Sequence, residues 1–216
     1  MNKITMNNNI MKQKNIVQEK VDLVITSDTK ITIFNNEISN LNLKVMPNTK
    51  LIVNDFRIIK KEKTKIKITA EDNAHITYNH AFINQGDYDL DIKLDMVGNN
   101  SYLLLNVHGI TDAGNTNINI DGKIGKTNLN NEFLEKVHLI NINQGKAKCV
   151  PNILIANKEV VANHEVSIGK LNDNELEYLM SKGITKGSAK KLILNGFLID
   201  IINDKKLKIK IKEILN

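Results

Sequence analysis

The sequence predicts a mainly β fold in which a parallel β-helix is followed by a small α-helical domain. Short segments from Val21 to about Leu171 alternate apolar and polar residues, which is typical of β-strands. Turn motifs recur about every 25 residues, within the range of solenoid repeats. After Leu171 the apolar spacing changes from two to about three and a half, which indicates helices.

The strand segments are short, rich in β-branched residues and separated by Asn, Asp and Gly. They are KITIF, NLNLKV, KLIV, KIKIT, AHITY, DLDIKL, SYLLLNV, NINI, VHLININ and NILIA. The turns between them include MPNT (46–49), EDNA (71–74), GNNS (98–101), DGKI (121–124) and QGKA (144–147). An antiparallel sandwich also contains many short strands, but this repeat favours stacked coils, each of which covers its neighbour's inward face.

The first twenty residues are polar and are expected to form an N-terminal arm, either frayed or a short helix. The β-helix is predicted for residues 21–171 and the helical domain for 172–216. Since the N-terminus has no apolar signal segment and no apolar run is long enough to span a membrane, the sequence predicts a cytoplasmic protein without a membrane partner.

Two helices are expected after the strands. In the first, Asn172 is the predicted N-cap, Glu175 the capping-box partner and Gly183 the residue after the helix end. Thr185 is predicted to cap the second helix. The predicted buried stripes are Leu176, Leu179 and Met180 in the first helix, and Ala189, Leu192, Ile193, Gly196 and Phe197 in the second.

The segment DKKLKIKIKEILN at the C-terminal end is ambiguous. Its alternation fits a strand, whereas its spacing of apolar residues fits a helix, which we favour. The apolar stripe of that helix is Leu207, Ile211, Ile214 and Leu215.

Composition argues against several functions. The net charge of +6 is scattered, and no basic face with interleaved aromatics predicts nucleic-acid binding. A single cysteine, Cys149, excludes an intrachain disulfide and a four-cysteine metal site. The sequence has no Gly-Lys-Ser/Thr phosphate loop, so no nucleotide is expected to bind, and no nucleophile–base set that predicts an enzyme. Aromatic residues make up only 4%, which disfavours a β-helix enzyme acting on polysaccharides.

Histidines and carboxylates are the remaining candidates for chemistry. His164 and Glu165 are adjacent where the strand pattern ends, although adjacent residues of a regular strand point to opposite faces. His138 lies 26 residues before His164, about one coil, so the two rings could stack. His75, His80 and His108 are expected in turns or at the surface.

Lys148 to Leu198 resembles the C-terminal signature of the SufB/SufD family, the scaffold subunits of the SUF system for iron–sulfur cluster assembly. Order and spacing are kept throughout this quarter of the chain. The matching residues are Pro151, His164-Glu165, Ser167-x-Gly169-x-Leu171, ELEYLMSKGI (175–184), Ala189 and NGF (195–197).

The resemblance implies a right-handed parallel β-helix that dimerises with a second copy or with a SufB/SufD paralogue. It also implies that the helices dock a SufC-like ABC ATPase, and that this is a short member without the N-terminal helical domain of larger members. The docking residues that it implies are Tyr178, Leu179, Gly183, Ile184, Gly196 and Phe197.

The resemblance further implies a transient iron–sulfur cluster, held in the family by a Cys one coil upstream, by the Glu of the His-Glu step or by its His. The candidate metal ligands here are therefore His164, Glu165 and Cys149, with Lys136 at the position of the upstream thiol. The predicted function is a non-enzymatic assembly scaffold. The alternatives are a structural SufD-like paralogue that binds no cluster and, least favoured, the polysaccharide enzyme.

Overall fold

The computed structural model describes residues 3–6, 20–35 and 38–215. Within these residues the chain forms eleven β-strands followed by three α-helices. The strands are β1 (Lys3–Met6), β2 (Lys20–Ile25), β3 (Thr29–Phe34), β4 (Asn40–Val45), β5 (Lys50–Ala70), β6 (His75–Met96), β7 (Tyr102–Thr111), β8 (Asn115–Ile124), β9 (Asn131–Asn141), β10 (Lys146–Ile155) and β11 (Val160–Lys170). The helices are α1 (Asp173–Ser181), α2 (Lys186–Asp200) and α3 (Lys205–Leu215).

The strands pair in parallel into two ladders that face each other. β5 and β6 are long enough to bend and contribute to both. The first ladder also contains β3, β7, β9 and β11, and the second contains β2, β4, β8 and β10. Lys50, His75, Tyr102, Glu132 and Val161 stack in one column, so successive coils differ by 25, 27, 30 and 29 residues. The predicted parallel β-helix with C-terminal helices is confirmed.

The predicted N-terminal arm is described only in part. Lys3–Met6 form β1, which pairs antiparallel with β3, and residues 1–2 and 7–19 lie outside the described residues. No helix within the described part of the chain is long and apolar enough to cross a membrane.

Asparagines in left-handed backbone conformation turn the chain between strands. Asn48, Asn73, Asn100 and Asn130 have φ angles of 58°, 55°, 54° and 54°. Asn tolerates this region because its short amide bonds locally, and Asn73 donates to the Asn48 side chain at 3.0 Å in the neighbouring turn. The turns predicted at MPNT, EDNA and GNNS therefore stack on one another.

The turn predicted at DGKI is wrong, because these residues are the end of β8. Gly122 lies on the inward face of β8, towards the interior of the β-helix, which we call the lumen. A Cβ atom at this position would lie 2.4 Å from the Phe133 ring. This glycine therefore makes space for an aromatic core residue, and the chain turns only after Ile124.

The three helices begin and end largely as the sequence predicts. The Asn172 side chain accepts from the backbone N–H groups of Asn174 and Glu175, and Thr185 accepts from that of Ser188. Gly183 follows α1 with φ of 85°. The ambiguous C-terminal segment is the helix α3, with Leu207 and Ile211 buried.

The predicted buried stripes of α1 and α2 are partly wrong. Leu176 is the buried residue of α1, whereas Met180 is 43% exposed. In α2, Leu194 and Leu198 are buried and Leu192 is 54% exposed. The reason is the surface underneath: α2 and α3 cover an apolar patch on the outer face of the first ladder, formed by Phe56, Ala81, Ile83 and Ile110.

Two histidines predicted in turns or at the surface are buried instead. His80 is fully buried inside the β-helix, and His108 is buried where α2 covers the first ladder. Both lie within strands whose neighbours on each side exclude water. His75, at the start of β6, is exposed as predicted.

Inside the lumen a charged network replaces the aliphatic core at one corner. The Arg57 guanidinium donates to Asp55 at 3.0 Å and to Glu62 at 2.7 Å, and Tyr78 donates to Asp55 at 3.0 Å. Arg57 and Asp55 are essentially inaccessible to solvent. Burial alone would raise the pKa of Asp55, but Arg57 and then His80 outweigh it and hold this pKa well below its ordinary value.

We expect Asp55→Asn to destabilise the protein by about 3–5 kcal/mol, because Arg57 loses its buried countercharge. Chemical denaturation across pH measures this. A carboxylate with a depressed pKa stabilises the fold above its unfolded pKa, near 3.8, and this contribution is lost as the pH falls. The difference between wild type and Asp55→Asn should therefore shrink in acid.

Asp22→Asn is the matched control, because Asp22 pairs with Lys20 at the surface, where ion pairs contribute little. Equal stability of wild type and Asp55→Asn at neutral pH would contradict the assigned role of the buried pair.

Candidate functional site

The last coil of the β-helix carries the residues that the sequence singles out. β11 stacks on β9 in unbroken register from Val160 to Lys170. His164 lies opposite Glu135, and Glu165 lies opposite Lys136. Without a bulge, neighbouring side chains of β11 alternate between faces. His164 therefore lies on the inward face, with Glu165 on the outward face, and the strand does not bring these two candidate ligands together.

On the outward face, Glu165 belongs to a small polar cluster. Its carboxylate lies 3.5 Å from His138 Nε2, and His138 Nδ1 lies 2.8 Å from the Ser167 hydroxyl. Lys136 is directly below Glu165 in the ladder. The spacing of His138 and His164 does not bring them together: the coils are offset by 29 residues here, so His138 lies below Ser167.

The next residue down this column, His108, connects the β-helix to the helical domain. Its ring stacks on Phe197 at 4.5 Å between centroids, and its Nδ1 lies 2.6 Å from the Phe197 carbonyl oxygen. Desolvation by burial lowers the pKa of His108, which favours a neutral ring whose Nδ1–H donates. The Asn-Gly-Phe motif therefore anchors α2 on the sheet.

On the inward face, the structure reveals a residue that the sequence interpretation missed. Glu135 is 1% exposed, and neither carboxylate oxygen has a hydrogen-bond partner among the described residues. Burial raises the pKa of Glu135 to about 7. A signal was present, since Phe133, Glu135 and Val137 alternate along one face and the other two are apolar core residues.

Cys149 faces the same lumen from β10, where it packs against the apolar core. Burial, and after it the charge of Glu135, raises the pKa of the Cys149 thiol to about 12. The sulfur is therefore protonated at neutral pH, and it becomes a strong ligand only if a cation displaces the proton.

The donor types at this end of the β-helix suit a transition metal: thiol, carboxylate and imidazole. No group of three or more His, Cys, Asp or Glu side chains in the described part of the chain is already arranged to hold a metal ion. A metal therefore requires rearrangement here, or ligands from a second chain.

The six predicted docking residues lie on α1, on α2 and in the turn between them. Tyr178 is 63% exposed, and Gly183 and Gly196 are also exposed. Leu179, Ile184 and Phe197 are half-buried. Gly196 and Phe197 also line a groove of about 410 Å³ between the helices and the β-helix.

Comparison with known proteins gives one family. Residues 60–197, more than half of the chain, match the family model described as the SufBD core domain of SUF system FeS cluster assembly. The match covers most of the β-helix, all of α1 and most of α2.

Individual proteins that are similar to this chain have names from the same family. The iron–sulfur cluster assembly protein SufD of Bacillus subtilis is 33% identical over 100 residues, which are 45% of this chain and 23% of that protein. A SufBD family protein of Galdieria sulphuraria is 30% identical over 120 residues, 54% of this chain and 53% of that protein. The matched stretch thus spans about a quarter of the first of these relatives and about half of the second.

The parallel β-helix, the C-terminal helices and the family match lead to one conclusion. The chain belongs to the SufBD core family of the SUF system for iron–sulfur cluster assembly.

Proposed function

We propose that this chain is a scaffold subunit that works with a SufC-like ABC ATPase and holds a nascent iron–sulfur cluster as cargo. The observation that carries the proposal is the family match over residues 60–197, which continues from the β-helix into α1 and α2. The proposal assigns no catalytic residue and no nucleotide site to this chain.

The surface of the helical domain supports ATPase docking. Tyr178, Met180 and Leu192 expose large apolar side chains at 63%, 43% and 54%. Aromatic and aliphatic side chains that remain uncovered often mark protein contacts. The α3 helix also exposes Ile209, but it lies beyond the matched residues.

Truncation of the docking surface should weaken binding to a SufC-like subunit. We expect Tyr178→Ala combined with Leu192→Ala to reduce affinity more than tenfold, since truncated hot spots cost about 2 kcal/mol or more. Co-purification and titration with the ATPase measure the loss. Ile209→Ala is the control, because it removes an equally exposed apolar side chain outside the matched region.

Point variants are preferable to deleting residues 172–216. The helices cover Phe56, Ala81 and Ile110, and deletion would expose this apolar patch to solvent. Unchanged affinity in the double variant, with Ile209→Ala also unchanged, would show that the ATPase docks elsewhere.

The last coil supports pairing with a second copy or a paralogue. Among the described strands, β10 pairs only with β8 and β11 only with β9, so each presents one open edge. Unpaired strand edges invite pairing with another chain. Leu154 and Val161 near these edges are 64% and 60% exposed.

Val161→Lys should shift the protein towards monomers, because it places a charge at this open edge. Analytical ultracentrifugation of wild type and variant measures the change. Val97→Lys is the matched control: Val97 is also exposed, at 47%, but it lies in a turn of a middle coil. A strictly monomeric wild type, alone and with the ATPase, would contradict the pairing.

Cluster binding is the part of the proposal with a serious rival. Lys136 occupies the position one coil below Glu165, where the family's thiolate is expected. This substitution favours the alternative, a structural SufD-like paralogue that forms the complex without binding cluster. If a cluster is held, His164, Glu165 and Cys149 of two chains must supply its ligands, because one chain offers too few.

Anaerobic reconstitution with iron and sulfide distinguishes a cluster-binding scaffold from a structural paralogue. We expect charge-transfer absorption in the dimeric fraction, which His164→Ala weakens and Cys149→Ser weakens or abolishes, because thiolate is the usual cluster ligand. Absorption equal in wild type and both variants would remove these residues from the site. No absorption in wild type that still binds the ATPase would support the structural paralogue.

A further inference from the structure

A histidine lies in the junction between the β-helix and the helical domain. His108 is on the outward face of β7, between Asn106 and Ile110, and it is only 8% exposed because α2 covers it. Its ring stacks on Phe197 with 4.5 Å between centroids and 5° between planes, and its Nδ1 lies 2.6 Å from the Phe197 carbonyl oxygen. The side chain that holds α2 on the sheet can therefore take up a proton.

A second histidine ring lies against the first. His138 is in register with His108 one coil later, and the two ring centroids are 5.3 Å apart with the planes nearly perpendicular. The other contacts of His138 are polar: its Nδ1 lies 2.8 Å from the Ser167 hydroxyl, and its Nε2 lies 3.5 Å from the Glu165 carboxylate. Two imidazoles at this distance repel each other when both are charged.

Charged groups and solvent reach His108 from the helical side. Asp200 on α2, Glu175 on α1 and Lys170 at the end of β11 line the same groove as His108. On the sheet, the previous coil places Ala81 directly beneath the ring. The groove, of about 410 Å³, gives water and protons a route to a ring that is otherwise covered.

The surroundings of His108 favour the neutral ring. Burial is the largest cause that lowers the pKa of His108, and the charge of His138 acts in the same direction. The Phe197 carbonyl and Asp200 favour the charged ring, but they do not outweigh burial and His138. A protonated His108 is therefore better accommodated when α2 moves away and water solvates the ring.

We propose that His108 is a pH-sensitive switch whose neutral ring holds α2 on the β-helix and whose protonated ring loosens it. The proton comes from solvent and adds to Nε2, because Nδ1–H already donates to the Phe197 carbonyl. The resulting cation either stays buried beside His138 or becomes hydrated as this part of α2 lifts from the sheet.

The far end of the helical domain has anchors of its own. Lys30 donates to the Asn203 carbonyl at 2.6 Å, and Thr32 donates to the Asp204 carboxylate at 2.9 Å. These contacts hold the turn between α2 and α3 on β3 and involve no histidine. Protonation of His108 should therefore loosen α2 around Phe197 without detaching the whole domain.

The direction of the pH dependence follows from the lowered pKa. A group of this kind stabilises the docked state above its unfolded pKa, near 6.5, and this contribution is lost as the pH falls. The attachment of α2 should therefore be complete near pH 8 and weaken below about pH 6.5. The switch operates within one chain and needs neither the ATPase nor a cluster, so it goes beyond the proposed function.

Hydrogen exchange of the α2 amides tests the switch on the full chain between about pH 5 and about pH 8, after correction for the intrinsic rate. In wild type we expect α2 to lose protection in acid while β6 amides, which report global unfolding, keep theirs. In His108→Asn the side-chain amide can still donate to the Phe197 carbonyl but does not titrate, so α2 protection should not change with pH. His75→Asn is the matched control and should behave as wild type, because His75 is exposed and stacks on Tyr102.

Glu135 also titrates in this range, since burial raises its pKa to about 7. A carboxyl group with a raised pKa destabilises the fold as the pH rises, so its effect has the opposite sign, and it remains in His108→Asn. Constant protection of α2 in wild type, or an equal loss in wild type and His108→Asn, overturns the proposal. If His108→Asn does not fold, NMR titration of the wild-type His108 ring replaces it, and a loss of α2 protection that does not coincide with this titration overturns the proposal.

Discussion

The parallel in-register stacking of coils is the constraint on which the rest of this structure depends. Each residue meets the residue one coil away on the same face, so the offset between coils decides which side chains become neighbours. An offset of 29 residues in the last coil places His138 below Ser167 and Lys136 below Glu165. An offset of 26 would have stacked His138 on His164. The length of the turns between strands therefore decides which side chains lie next to each other at the end of the β-helix.

The same stacking makes it unfavourable to bury a charged side chain in the lumen. Side chains that point inward are covered from above and below, so a buried ion needs its partners within one or two coils. Arg57 meets this requirement with Asp55, Glu62 and Thr64 close by on β5. Glu135 does not, and its raised pKa is the consequence. Asp55 in the lumen is thus held by its partners, whereas Glu135 is buried without them.

The sequence predicts periodic features well and contacts between distant residues poorly. The β-helix follows from the recurring turns, and the helix caps follow from Asn172 and Thr185, because both depend on local spacing. The buried positions of His80 and His108 depend on neighbours a coil away or on α2, and no local pattern contains them. The buried residues of α2 were predicted incorrectly for the same reason, because the patch that contains Phe56 and Ala81 decides which side of this helix is buried.

Within the matched motif of the helical domain, packing and partner binding divide between residues. Phe197 stacks on His108 and holds α2 against the sheet, so its substitution would loosen the domain whether or not a partner binds there. Tyr178 is 63% exposed, and its hydroxyphenyl group contributes little to the core. Gly196 has no neighbour within 4 Å of an added Cβ, so the fold does not require glycine at this position. The space around Gly196 therefore tests the proposed docking: a larger side chain there would leave the fold intact and would obstruct the ATPase only if it binds at this position.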